Sequence, residues 1–243
     1  MLLGCLSLYA ADNDLITRQI TITLEKAGTL PDRIASSKKN KITNLKIIGE
    51  INGTDLRMIR EMAGSNSNGN STDGKLSVLD LSEAKIVKGG DCYLNNGYDY
   101  TSNDVIGSRA FLGCSGLTSL TLPAGITSIG DEAFQGCSGL TSIYVYAEKV
   151  PKIDSNAFKG VDAKKCTVYV PMGTYDDYWL SDFGDYFENI VEFDVTGIDK
   201  TTTSTDVEEV TRYSVNGQRL SAPTKGLNIV KYSDGSVKKV SVQ

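Results

Sequence analysis

Histidine is absent from all 243 residues. That absence removes Ser-His-Asp and Cys-His nucleophile pairs, imidazole proton shuttles and histidine-ligated metals. An excess of positive charge is missing too, since 25 basic residues stand against 30 acidic ones for a net charge of -5. Such a balance lacks the electrostatic footprint for a phosphate backbone, so nucleic acid is not an expected partner. No apolar run reaches the roughly 20 residues that a bilayer-spanning helix needs. The nearest approach is the uncharged stretch from Leu2 to Ala11, which has the length of an export-signal core and ends in small residues. Residues 1–11 are therefore read as the remnant of an export signal, cut near Ala10 or Ala11. Leu2-Leu3-Gly4-Cys5 also has the form of a lipobox, in which Cys5 would carry a lipid and give membrane contact. A third reading is an apolar tail docked on the core. With 40% hydrophobic and 23% charged residues, the chain can build a sizeable core.

Self-comparison supplies the strongest positive signal. Ile106-Gly-Ser-Arg-Ala-Phe-Leu-Gly-Cys-Ser-Gly-Leu-Thr-Ser-Leu120 returns 23 residues later as Ile129-Gly-Asp-Glu-Ala-Phe-Gln-Gly-Cys-Ser-Gly-Leu-Thr-Ser-Ile143. A degraded third copy starts at Ile153 and runs through Ala157-Phe158 to Val168 and Val170. A period in the low twenties with an L-x-x-L-x-L hexad is the signature of a leucine-rich solenoid. The hexad stands at Leu117/Leu120/Leu122 and Leu140/Ile143/Val145. It also fits Leu76/Leu79/Leu81 and Ile42/Leu45/Ile47, and fits Val168/Val170 with Lys165 in the first slot. The expected fold is an α/β solenoid of about five coils with a parallel β ladder, capped at both ends. Apolar residues two apart share one face of a strand. Ala110-Phe111 and its copies lie on the return leg, with Phe filling the interior, and Gly113, Gly136 and Gly160 suit the turn that follows. One coil cannot bury its own apolar side, so coils must stack and the ends need caps.

Ile20-Thr-Ile22-Thr-Leu24, followed by 30–34, is the expected N-terminal cap. A short helix after Thr174, carrying Tyr175, Tyr178, Trp179 and Phe183, is the C-terminal one. Two insertions interrupt the coils. The first begins with a helix over 54–63, capped by Thr54 and ended by Gly64, and continues as a polar loop to Lys75. The second, 88–105, is rich in Gly, Asn, Asp and Tyr, and both are expected to emerge from one side of the solenoid. The domain order is thus 1–11 export signal, 12–195 repeat domain, 196–210 linker and 211–243 a small all-β tail. Asn216-Gly217 and Asp234-Gly235 mark hairpin turns within that tail. From Gly197 onward seven basic residues stand against five acidic, so tail and body differ in charge sign.

Cys114 and Cys137 occupy equivalent places in adjacent coils, close enough for a disulfide, although small buried thiols suit the same positions. No cysteine shows metal-ligand spacing. Gly69-Asn-Ser-Thr-Asp-Gly74-Lys75 approaches a phosphate loop, but Leu76 stands where a hydroxyl must reach magnesium, and a strand follows instead of a helix. In the second insertion Asp91, Asp99 and Asp104, with Tyr98 and Tyr100, form a possible loop site. Paired acids could hydrolyse glycans and hard oxygens could hold calcium, yet solvated loop acids are the ordinary explanation and EF-hand spacing is missing. No cofactor or metal is expected. Outward strand positions are the better candidates for binding: Thr121, Ser142, Tyr144 and Tyr146, then Thr167 and Tyr169. Rigid tyrosines on adjacent coils make a recognition patch, or else stack on one another.

The pattern Ile-Gly-x-x-Ala-Phe-x-Gly-Cys-x-x-Leu-x-x-Leu-x-Leu-Pro, as it stands at 106–123, resembles the BspA-type leucine-rich repeats of surface proteins in Bacteroides and related bacteria. The resemblance implies an exported or cell-surface protein that acts by adhesion to a host matrix protein or another surface partner, without catalysis. Residues 211–243 resemble the C-terminal β tail of exported Bacteroidetes proteins. The rival expectation, from the residues of 88–105, is a carbohydrate-binding accessory or weak glycan hydrolase.

Overall fold

A computed structural model describes residues 15–194, 209–214, 219–232 and 237–242. The expected export signal, Cys5, most of the linker, and both tail turns lie outside those residues. The chain divides into a unit ending at Glu192 and a second from Phe193 onward.

The first unit is a stack of parallel rungs. β1 (Ile20–Leu24) leads through two single-turn helices, α1 (Leu30–Arg33) and α2 (Ser36–Lys39), to β2 (Asn44–Ile51) and the longer α3 (Gly53–Met62). β3 (Val78–Asp80), β4 (Ala84–Ile86), β5 (Val105–Ile106), β6 (Ser119–Thr121), β7 (Ser128–Ile129), β8 (Ser142–Tyr144), β9 (Lys152–Ile153) and β10 (Thr167–Pro171) follow. α4 (Tyr175–Trp179), α5 (Asp182–Tyr186) and β11 (Asn189–Phe193) close the unit. The main sheet runs β1-β2-β3-β6-β8-β10-β11, with β4 also on β2. Its register places Ile22, Ile47 and the hexad residues Leu79, Leu120, Ile143 and Val168 inside, every one of them buried. The solenoid expected from the hexads is therefore present. One refinement is that β1, taken as a cap, is itself a parallel rung, with Ile20 opposite Leu45 and Ile22 opposite Ile47. Another is that Lys165 does not fill the first slot of its coil. Lys165 is exposed and pairs with Asp162 at 2.9 Å, and Cys166 is the residue buried there.

Two further ladders hold the coils together. On the return side β5, β7 and β9 pair in parallel, joining Ile106 to Ile129 and Ile129 to Ile153. Beside them Phe111, Phe134 and Phe158 stack, with centroids 5.3 and 5.1 Å apart and planes within 10°. Before β2, β3, β6 and β8 a hydroxyl residue donates twice to the segment before it. Thr118 gives its amide and Oγ1 to Ser77 O, and Thr141 gives both to Thr118 O. These threonine side chains are structural, since each adds a second bond to a carbonyl that already accepts the backbone amide and so ties one coil to the next. Gly113, Gly136 and Gly160 take φ of +73° to +86°, as the repeat requires.

The helix expected over 54–63 is found one residue earlier, and its cap is not Thr54. Asn52 accepts from Thr54 N at 3.0 Å, and Asp55 returns a bond from Asn52 N at 2.9 Å, a capping box. Asp55 is fully buried and also accepts from Gly28 N and Leu30 N, so one carboxylate fastens the α1 loop to α3. At the other end the single expected helix is two, and Phe183 and Phe187 pack on Phe158 and finish the ring stack.

The second unit is a four-stranded antiparallel sheet. β12 (Glu209–Ser214), β13 (Arg219–Leu220), β14 (Gly226–Tyr232) and β15 (Val237–Val242) lie in the order β13-β12-β14-β15.

Burial of the repeat cysteines sets a pH dependence. Cys114, Cys137 and Cys166 are buried free thiols, and Cys137 Sγ donates to Phe111 O at 3.1 Å. Burial pushes the Cys114 and Cys166 thiols from an ordinary 9.0 up to about 12 and raises Cys137 well above it. The folded state thus keeps protons that the unfolded chain releases, and stability present below pH 9 is lost as pH climbs towards 12. Urea unfolding should show a midpoint that is level from pH 7 to 9 and falls steadily above it. A midpoint level to pH 11 would contradict burial as the cause.

Candidate functional site

The outer face of the main sheet is built by register. Thr121 of β6 lies opposite Tyr144 of β8, and Tyr144 lies opposite Tyr169 of β10. The same row continues the other way through Asp80 of β3, Lys46 of β2 and Thr21 of β1. A second row places Ser119, Ser142 and Thr167 side by side. The fold thus gathers the sheet residues singled out in the sequence onto one rigid surface. Tyr144 and Tyr169 stack at 4.4 Å with planes 8° apart, the mutual stacking that the sequence left open. Partial burial first, and then the neighbouring Tyr169 and Tyr146 phenols, raise the Tyr144 pKa, which puts Tyr146 in the same patch. At the opposite end of the row Lys46 bridges Glu83 at 2.7 Å and Asp80 at 3.4 Å. The hydrogen bond that Lys46 donates to Glu83 leads the effects that raise its pKa, keeping the ammonium charged. The face is therefore graded, with paired charges at one side, hydroxyls in the centre and tyrosine rings at the other.

The loop residues are not gathered in this way. Asp99 is the opposite of a solvated loop acid, being 5% exposed with Oδ1 on Arg109 at 3.0 Å and Oδ2 on the Asn96 amide. Both carboxylate oxygens are thus engaged, and the Asp99 carbonyl also accepts the Tyr93 amide at 2.9 Å. Asp91 accepts from Thr54 Oγ1 at 3.1 Å beside the first turn of α3. Asp104 sits on the solenoid itself with φ of 56°, and its carbonyl accepts the Thr127 amide and hydroxyl. The three acids thus have separate duties, and among the described residues no group of three His, Cys, Asp or Glu could hold a metal ion. Tyr98 and Tyr100 do project, at 84% and 51% exposed. The two insertions lie together, as expected, since Asn95 N donates to Ser67 O and the Asn95 amide to Asn68. The phosphate-loop-like segment runs into β3 and no helix follows it.

Sequence reasoning missed Arg60 and Tyr93. Return-leg amides of each coil donate to the next: Arg109 N to Asp131 O, Phe111 N to Ala133 O and Gly113 N to Gln135 O. The matching carbonyls of the coil at 106–113 belong to Ser108, Ala110 and Leu112, and no regular return leg precedes them. Tyr93 Oη donates to Ser108 O at 2.7 Å. Arg60 donates through Nη1 to Ala110 O at 2.9 Å and through Nη2 to Leu112 O at 3.1 Å, so two side chains stand in for an absent strand. Arg60 is fully buried, and its lowered pKa has desolvation as the first cause. Nothing in the helical pattern around Ile59 and Met62 marks it, because its partners lie about fifty residues away in the chain.

A ladder of short parallel strands and a return leg carrying Ala-Phe define a leucine-rich-repeat fold. Residues 99–215 match the BspA type leucine rich repeat region, in six copies. Proteins of this kind serve surface protein–protein interaction and are typically non-catalytic. No curated protein matches the sequence. Among the described residues no helix is long and apolar enough to cross a membrane.

Proposed function

We propose that this protein is exported and acts at the cell surface by holding a protein partner, such as a host matrix protein, on the outer face of its main sheet. The observation that carries the reading is the row Thr121-Tyr144-Tyr169, fixed by backbone register on three adjacent rungs. Stacked rings on strands lose little side-chain entropy when a partner arrives, and Tyr is the residue type that most often anchors such contacts. Ser142 and Thr167 beside them supply hydroxyls for a polar rim. The rival reading, glycan hydrolysis by the acids of 88–105, has no support from geometry, because Asp99 is sequestered by Arg109.

Surface capture of fibronectin and fibrinogen tests the proposal. Replacing Tyr144 and Tyr169 together by Ala should weaken capture by about tenfold or more. The thermal midpoint should fall by only a few degrees, since both rings lie on the sheet's outer face and neither belongs to the buried core. Capture that survives the double substitution unchanged would remove the sheet face from the site.

A further inference from the structure

Away from the sheet face, a groove of about 340 Å³ lies between α1, α2 and α3. Pro31, Ile34 and Met58 give it an apolar side, and four charged residues line the remainder. Two of these cancel, because Lys39 Nζ meets Glu61 Oε2 at 2.6 Å. The other two do not. Arg57 is held by neutral groups alone: Nη2 donates to Ser67 Oγ and Asn95 Oδ1 at 3.0 Å each, and Nη1 reaches Cys92 O at 3.5 Å. No carboxylate among the described residues pairs with it. Asp91 is likewise without a cation, since its Oδ2 accepts only the Thr54 hydroxyl at 3.1 Å. One oriented guanidinium and one carboxylate thus line the same groove beside an apolar strip, and the volume is that of a small-ligand site.

We propose that this groove binds a small zwitterion with an apolar side chain, a free α-amino acid or a short peptide. Its carboxylate would meet Arg57, its ammonium Asp91, and its side chain the surface of Pro31, Ile34 and Met58. Arg57 suits the task because neutral partners fix the planar fork and leave its charge uncompensated. An anion alone would face Asp91 and a cation alone would face Arg57, so only a ligand carrying both charges matches the lining. The site is independent of the sheet face and adds a second binding function to the repeat domain.

Titration calorimetry on the full chain provides the test, with L-leucine and leucyl-leucine as probes. Saturable binding of at least one is expected, and whichever is tighter decides between free amino acid and peptide. Leucinamide, which lacks the carboxylate, and N-acetyl-leucine, which lacks the ammonium, should each bind about tenfold more weakly or worse. Arg57→Gln keeps donors for Ser67 and Asn95, and Asp91→Asn is an exposed change; both should cost a similar factor while thermal melting stays within a few degrees. The proposal is overturned by absence of saturable binding for both zwitterions, by equal binding of N-acetyl-leucine, or by unchanged affinity in both variants.

Discussion

Arg60→Met should destabilise the repeat unit by about 3 kcal/mol, read as a lowered urea midpoint at unchanged slope. Methionine fills nearly the same volume, so the loss isolates hydrogen bonding from packing. Among the described residues the guanidinium donates to no carboxylate; it donates to neutral carbonyls, those of Arg109, Ala110 and Leu112, at 2.9 to 3.1 Å. Removing it takes the donor from Ala110 O and Leu112 O, while Arg109 O keeps the Leu112 amide, and each orphaned carbonyl costs roughly 1–3 kcal/mol. The relief of no longer burying a charge offsets part of that total. Arg60→Lys should recover only part of the loss, because a point ammonium cannot span carbonyls two residues apart as a planar fork does. Tyr93→Phe removes the third member of the set, the bond to Ser108 O, and should cost about 1 kcal/mol. If Arg60→Met were neutral, water would have to satisfy these carbonyls, and the idea that α3 replaces a return leg by side-chain chemistry would fail.

The same residues explain how far the sequence could be read. Leu120 and Ile143 were legible as neighbours because alternation is local and the 23-residue offset carries the register between their coils, and Val168 was legible from the same alternation in the degraded third copy. The tyrosine row followed from the same alternation, and the sheet places Tyr144 on Tyr169. What was not legible depends on pairs far apart in the chain. Arg60 and Leu112, 52 residues apart, satisfy each other only after α3 has docked on the solenoid. Asp99 looks like any loop acid until Arg109, from the start of the next coil, folds over it. The cap of α3 was misplaced for a related reason. Thr54 is a good local candidate, but Asn52 wins because Asp55 completes a capping box with it and simultaneously binds the distant Gly28 and Leu30 amides. Counting back from Val168 points to Lys165, whereas the longer last coil, 25 residues from Ile143 to Val168, buries Cys166 instead.

Phe134→Ala is the second change with a large expected effect, a loss of about 3–5 kcal/mol. Phe134 is the central ring of the return-leg stack and is completely buried, with Phe111 at 5.3 Å on one side and Phe158 at 5.1 Å on the other. Its backbone amide is also tied to Ala157 O at 2.7 Å, so neighbouring coils cannot slide together to fill the void. A cavity that cannot collapse carries the full penalty for lost contacts. Phe134→Leu keeps most of the volume and should cost far less, about 1–1.5 kcal/mol. An outer ring offers a contrast: among the described residues Phe111 has a single ring partner, so Phe111→Ala should cost less than Phe134→Ala if ring stacking matters beyond buried area. Equal losses at the two positions would mean that area alone decides. In a stack where each coil rests on its neighbours, a void at the middle weakens both adjoining interfaces at once, and the sheet rungs on the far side, including the pair that carries Tyr144 and Tyr169, lose their common support.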